Sequence, residues 1–517
     1  MTRGDTFRPP GKSRIGNALF AAAVAACLGY AFWQRAPGLD PPSLWLDDQW
    51  VACLTKRPLL DLLSANAPSP IGFLFLEKVF AEIWPGQSWP LQLLPFASSL
   101  LLLPLLAWVG RKIFEAKGLA LLVVVLATVS PPLLEYSVRV KQYACEAFAV
   151  AGVLGLFAVC CHDRGLRPYL KLCASAMVSF VISYASIAFS LVCVHLALFI
   201  PAGTQPRWKP AKSLAFAALG TDALIGIFAW SAMGGKRSPA MLGYWQDFFA
   251  PLNSVSSFLA FLATNGKAVL VGGFSLQEGW IACLVLAGLL SLLVQRRTLY
   301  VGLAIAGGYG CMVAASALQL YPLGGGRTDI FSYPLAMVAM AGLLHPLRRV
   351  RSKVSIDGAL AACLSLLLLL TLHSARAAYP GTQDAALVRR LGAIAQPFHG
   401  LLIYPHANWA VGLYGPWTPR LKKTDYYAHS FEVHPDRERT LVLPGGSDGI
   451  PYTAFPQTLL PSLDAFLLQG HPTIHFILLY YRQDILQMLQ TIFLRRGYSL
   501  VHSFEVEGGL LLTYGRQ

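Results

Sequence analysis

Long apolar runs alternate with short polar gaps over most of the chain, after a polar and basic opening of about ten residues. An apolar run of roughly twenty residues crosses a ~30 Å hydrocarbon layer as a helix. The pattern predicts spans near 15–34, 91–111, 117–134, 143–161, 170–184, 186–201, 212–232, 279–295, 299–319, 330–347 and 357–373. That is about eleven transmembrane helices. The first run, Ile15–Trp33, follows Arg3, Arg8, Lys12 and Arg14 as a signal peptide would. Gln34-Arg35-Ala36-Pro37 lacks a small-x-small cleavage site, so the run reads as an uncleaved first helix. Pro70–Trp84 is apolar but carries Glu77, Lys78 and Glu82 near its middle. Charges at the bilayer centre cost several kcal/mol each, so this stretch reads as an amphipathic helix on the membrane surface. Met241–Lys267, with Trp245, Phe248 and Phe249, has the same interfacial character.

Beyond Thr371 the periodicity changes. Helices are expected over 384–396, 459–468 and 483–494, and strands over 400–404, 440–443 and 473–480, followed by a terminal hairpin-like pair. This alternation predicts an open α/β sheet. The expected architecture is a polytopic α-helical membrane protein with two domains: residues 1–373, whose first outer loop covers 35–90, and a C-terminal extracytoplasmic α/β domain, 374–517.

Composition fits a lipid solvent: 55% of the 517 residues are hydrophobic and 13% charged, against about 25% charged in a soluble domain. A net charge of +15 could suit nucleic acid, but its distribution argues otherwise. Arg111, Lys112 and Lys117; Arg164, Arg167 and Lys171; Arg207, Lys209 and Lys212; Arg296 and Arg297; and Arg348, Arg349, Arg351 and Lys353 lie in gaps between runs. The positive-inside rule turns these gaps toward the cytoplasm. With an odd number of spans, the expected location is the plasma (inner) membrane, with a cytoplasmic N-terminus and an extracytoplasmic C-terminal domain. The ten cysteines lack metal-ligand spacing and none follows Ser374. The outer domain is therefore expected to hold together through an ordinary core.

Three outer loops carry candidate chemistry. The first reads Ser43-Leu44-Trp45-Leu46-Asp47-Asp48-Gln49-Trp50. Adjacent carboxylates between tryptophans at the headgroup level could supply a general base and a partner that orients it or holds a cation. A solvated pair capping the next helix is the plainer alternative. The second, Pro131 to Tyr143, contains Glu135, Tyr136, Arg139, Lys141 and Tyr143. Its cations suit a lipid-linked phosphate or pyrophosphate, or they simply snorkel at a helix end. The third, Tyr321-Pro322-Leu323-Gly324-Gly325-Gly326-Arg327-Thr328-Asp329, offers a flexible backbone and a further guanidinium. Taken alone, it is equally a glycine turn. Together, one acidic pair and three cations at one membrane face are an inventory for moving a sugar off a phospholipid carrier. Cations stabilise the departing phosphate while a base deprotonates the acceptor.

These segments resemble a family. Leu44-Trp45-Leu46-Asp47-Asp48 is similar to the W-L-D-E element of GT-C glycosyltransferases, the multi-helix enzymes related to protein O-mannosyltransferases and the lipid A aminoarabinose transferase (glycosyltransferase family 39-like). Ala67-Pro68-Ser69-Pro70-Ile71-Gly72-Phe73-Leu74 resembles their P-P-L/I-x-x-L element, and Tyr136 to Tyr143 their Y-S-x-E-x-K/R-x-Y. Tyr321-Pro322 through Arg327, with Phe331 and Pro334, resembles Y-P-x-G-x-R…P. The four occur in order over roughly 15–350.

The resemblance implies that Asp47 is the catalytic base and Asp48 its partner. Arg139 stands where the family commonly has an acid, a charge reversal that bears on any metal or acceptor contact that acid makes. The expected activity is inverting transfer of a hexosyl or pentosyl group from a polyprenyl-phosphate-linked donor to a glycan, lipid or protein acceptor of the cell envelope. Tyr136, Arg139, Lys141, Tyr143, Tyr321 and Arg327 are the expected binders of substrate and lipid phosphate. The cofactor is unknown, a divalent cation being one option, because the family has metal-dependent and metal-independent members. Two rivals are a catalytically inactive scaffold of the same fold and an amphiphile transporter or flippase. Transporters usually bury ionisable groups mid-membrane, and here only Asp222 and Glu146 approach span interiors.

Overall fold

The computed structural model describes residues 11–56, 58–59, 62, 69–163, 165–200, 211–233, 239–274, 279–346, 383–404, 406–415, 419–420, 432–433, 439–443, 455–481 and 483–517. Among them, four helices are long and apolar enough to cross a membrane: Gly16–Gly38, Trp89–Phe114, Tyr143–His162 and Leu299–Ala317. They make the chain a membrane protein. Helices also occupy the other expected spans up to 347: Lys117–Thr128, Ser186–Phe199, Gly279–Val294 and Tyr333–Leu343 more briefly, and Leu166–Ile182 and Ala211–Met233 at about the expected length. The physical reason is visible at Lys117–Thr128. Its 12 residues rise only about 18 Å before Pro131 and Pro132 start a new short helix, Pro131–Glu135. The expected span at 357–373 lies outside the described residues.

Helices Leu93–Phe114 and Tyr143–His162 form the centre of the bundle. Their buried Leu102, Leu103, Leu106, Val109, Val150, Leu154 and Phe157 belong to one continuous apolar core. Asp222, one of the two carboxylates near span interiors, pairs with His195 at 3.2 Å between helices Ser186–Phe199 and Ala211–Met233.

The segment after Pro70 forms the helix Ile71–Ile83, with one reversal of the expected amphipathic sense. Lys78 and Glu82 pair outward at 2.7 Å, but Glu77 is fully buried while Phe75, Ile83 and Trp84 are exposed. Phe80 and Trp84 stack at 6.3 Å, and Trp84 meets Trp89 at a tilt at 5.3 Å. The outward face is thus largely apolar and aromatic, suited to the headgroup layer.

The C-terminal residues form a five-stranded sheet of order β4-β1-β5-β7-β6, with β1 Gly400–Ile403, β4 Thr440–Val442, β5 Thr473–Leu479, β6 Tyr498–Val506 and β7 Gly509–Arg516. β1 runs parallel to β4 and β5, whereas β7 runs antiparallel to β5 and β6. A two-residue ladder joins β2, Pro419–Arg420, to β3, Glu432–Val433. Helices Asp384–Ile394, Phe455–Leu468 and Gln483–Arg495 correspond to expected elements. Strand β5 is buried from Ile474 to Leu479 because it is central, and Leu402, Ile477, Leu511, Phe493 and Tyr514 fill the core around it.

Among the described residues of the C-terminal part, one helix has no counterpart in the expected elements: Ala407–Tyr414, directly after β1. It packs on the first-loop helix Leu46–Thr55. Trp50 and Trp409 meet at 5.8 Å, the Leu44 amide donates to the Tyr414 hydroxyl at 2.6 Å, and the Lys56 ammonium donates to the Gly412 carbonyl at 3.2 Å. Beside it, Gln49 donates to Asp384 at 2.5 Å and the Ala385 amide donates to Ser43 at 3.2 Å. The sheet-bearing part therefore grips the helix that carries the acidic pair.

Candidate active site

Asp47 and Asp48 lie in the first turn of Leu46–Thr55, directly after the extended Trp45. Unpaired N–H groups and the positive end of the helix dipole favour carboxylates there. On a helix, successive side chains diverge by about 100°, so the two carboxylates meet different surroundings.

Asp48 faces the second loop. The Arg139 Nε donates to its Oδ2 at 2.7 Å, and an Arg139 Nη1 donates to Glu135 at 3.4 Å. The guanidinium lies 4.4 Å from the Trp45 ring centre and 5.8 Å from that of Tyr136. Arg139 is thus held by two carboxylates and two aromatic faces. Glu77 adds a third acid near Asp48. Among the described residues both its oxygens are buried without a hydrogen-bond partner, and burial together with the negative Asp48 pushes its pKa well above the usual range. Both effects favour its neutral form.

Asp47 faces the third loop, where Arg327 donates to its Oδ2. The Arg327 guanidinium lies 5.7 Å from the Trp245 ring centre. Burial pushes the Asp47 pKa up, but Lys141, Arg327 and Arg139 together hold it below the ordinary carboxylate range. Lys141 is buried, with its ammonium 5.3 Å from the Trp50 ring centre. Among the described residues no ion pair or hydrogen bond engages that ammonium. Burial lowers its pKa, partly countered by Asp47 and Asp48. The three loops thus bring Asp47, Asp48, Arg139, Lys141 and Arg327 into one cluster.

The tyrosines play different parts. Tyr136 and Tyr143 meet edge to face at 5.1 Å, and burial, with Glu135, raises the Tyr136 phenol to about 12. Tyr321 donates to the Thr328 carbonyl at 2.8 Å and so closes the third loop on itself. That loop turns through Gly324 and Gly326 at φ +82° and +69°, a region that glycine enters at little cost.

Among the described residues no group of three or more His, Cys, Asp or Glu side chains is arranged to hold a metal ion. The two loop carboxylates face guanidinium groups, a donor set that does not fit a divalent cation as it stands.

Several site residues had weak or no sequence signal. Glu77 had one, as a charge inside an apolar helix, but its direction was not readable. Trp245 was visible only as an interfacial aromatic. Gln49 and Asp384, whose contact crosses 335 positions, gave none.

No protein-family profile and no curated protein sequence matches the chain. Solved structures do. The chain is similar to ArnT from Cupriavidus metallidurans in the apo state, with TM-score 0.56 and 13% identity, over 96% of this chain and 98% of that one. The same protein bound to undecaprenyl phosphate gives TM-score 0.57 at 13% identity, with the same coverage. The likeness is one of fold, and it extends over the C-terminal sheet as well as the helices.

Proposed function

We propose that this chain is an inverting membrane glycosyltransferase that moves a sugar from a polyprenyl-phosphate-linked donor to a cell-envelope acceptor. The reaction takes place on the extracytoplasmic side of the plasma membrane. The observation that carries the reading is the Asp47–Arg327 pair, which joins positions 280 apart at the meeting of three loops. The fold supports it, since the similar ArnT has been seen bound to undecaprenyl phosphate.

In the proposed reaction Asp47 takes the proton of an acceptor hydroxyl as its oxygen attacks the anomeric carbon. The bond from that carbon to the phosphate oxygen breaks on the opposite face, and polyprenyl phosphate leaves with the electron pair. Arg327 and Lys141 are the groups assigned to the phosphate, where their charge stabilises the leaving group. Arg139 orients Asp48 and completes the positive surroundings of Asp47. Tyr136, Tyr143 and Tyr321 shape the walls. In the described state Asp47 is held by Arg327. A phosphate competing for that guanidinium frees the carboxylate and weakens the field that depresses its basicity. Donor binding then precedes acceptor activation. Residues 1–373 form the catalytic module, and 374–517 an extracytoplasmic domain that buttresses the first loop.

The test is binding of undecaprenyl phosphate to the purified full-length protein in nanodiscs, read by native mass spectrometry. Wild type is expected to retain the lipid and Arg327→Gln to lose most of it. Equal retention by both would remove Arg327 from the phosphate site.

A further inference from the structure

The third loop is held by a segment to which the proposed reaction gives no part. Between helices Val255–Phe261 and Lys267–Val271, residues Leu262–Gly266 form a π turn. Such one-residue widenings cost hydrogen-bond geometry and concentrate at functional sites. This one carries Asn265. Its side-chain amide donates to two backbone carbonyls, Leu323 at 3.0 Å and Asp247 at 3.2 Å. The first belongs to the glycine turn that carries Arg327. The second belongs to the 3-10 turn Gln246–Phe248, next to the Trp245 ring that faces Arg327.

The fit is close. A Cβ on Gly324 would sit 2.7 Å from the Asn265 Cβ, and one on Gly325 would sit 2.9 Å from the Trp245 ring. The Leu323 amide also donates to the Phe248 carbonyl at 2.8 Å. On the other side of the turn, the Tyr333 hydroxyl donates to the Gly326 carbonyl at 3.0 Å, and the Gly326 amide donates to Asp329 at 3.1 Å. The turn before Arg327 is therefore clamped from two sides, and the Asn265 side chain on the π turn ties it to the Trp245 segment.

We infer that Asn265 is a positioning residue, whose two-point amide clamp sets where the Arg327 guanidinium stands relative to Asp47 and to the donor's phosphate. The inference rests on the reading of Arg327 as a phosphate binder. Two donor hydrogens on one planar amide are what the role needs. Aspartate has the same shape but cannot donate, and it would face two carbonyl oxygens with a negative charge.

The test is a double-mutant cycle on undecaprenyl phosphate affinity, measured on the full-length protein in nanodiscs alongside its thermal melting. Asn265→Asp and Asn265→Ala are each expected to weaken binding about tenfold, the loss from one to two missing hydrogen bonds, with little change in melting. In the Arg327→Gln background the same substitutions are expected to have almost no further effect, because residues that act through one group are not additive. An equal loss in both backgrounds would mean that Asn265 acts elsewhere and would overturn the inference. So would unchanged affinity for both Asn265 variants when Arg327→Gln alone is strongly impaired. If Arg327→Gln itself binds normally, the assignment of Arg327 fails and the inference falls with it.

Discussion

Asp47 and Asp48 are neighbours in the chain and each faces an arginine, yet the two pairs live in different media. In the Asp48–Arg139 pair the side chains are 0% and 4% exposed, and in the Asp47–Arg327 pair both are 26% exposed. A sealed pair resists change. Removing one partner strands a charge in a low dielectric, which costs far more than the pair itself contributes. A half-open pair exchanges partners readily, because water screens what is lost. On the proposed reading the sealed pair serves architecture and the half-open one serves chemistry. Arg139 itself is tied to the buried Asp48, to the half-exposed Glu135 and to the face of Trp45.

The contrast can be broken at several points. The largest expected effect is on transfer. Asp47→Asn should lower it by roughly 10²–10⁴-fold, the usual worth of a general base, with little change in melting. Asp48→Asn should instead damage folding and activity together. Were Asp48→Asn to abolish transfer in a fully stable protein while Asp47→Asn stayed active, the assignment would be inverted. Next in size, Arg139→Met should destabilise the protein by about 3–5 kcal/mol, as for other severed buried pairs. Arg327→Met should stay within about 1 kcal/mol. Thermal melting in one detergent compares the two directly.

Glu77 sharpens the sealed side. Its raised pKa means the folded state holds the proton more tightly than the unfolded chain. This contribution is full below the ordinary glutamate range and is lost as pH rises toward the folded value. Glu77→Gln keeps the neutral shape, so the melting temperature of the variant should fall less than that of wild type as pH is raised from 4 to 8. Parallel curves would show that Glu77 is ionised in the folded protein. The smallest effect is expected in the sheet, with the opposite sign. His475 Nε2 and His399 Nδ1 lie 2.8 Å apart. Burial and the neighbouring His399 push the His475 pKa down to about 4. Stability there is full above 6.5 and declines as pH falls toward 4. Hydrogen exchange in β5 should accelerate over that window in wild type and less in His475→Gln.

What the sequence made legible follows from which forces are local. Apolar run length located helices from 15 to 347, because the need to satisfy backbone groups in lipid acts on each segment separately. It overstated the length of Lys117–Thr128, where Pro131 and Pro132 interrupt the run. Binary patterning found β1, β4 and β5 with their flanking helices. It missed Ala407–Tyr414, whose reason for being a helix is the first loop it packs against. The loop motifs named Asp47, Asp48, Arg139, Lys141 and Arg327 as a group. They could not say which acid meets which cation, since that depends on the 100° between successive helical side chains and on loops far apart in sequence. Glu77 shows the limit plainly: its cost was readable, but the direction it faces was not.

The central claim is tested most directly by mass spectrometry of envelope glycolipids, polysaccharide and glycoproteins. The comparison covers the native strain, a deletion, and deletions complemented with wild type or with Asp47→Asn. The account predicts a one-sugar mass deficit in some envelope component, restored by wild type and not by Asp47→Asn. A profile identical in all four strains, with the protein demonstrably present in the membrane, would contradict it and favour a scaffold or transporter built on the same fold.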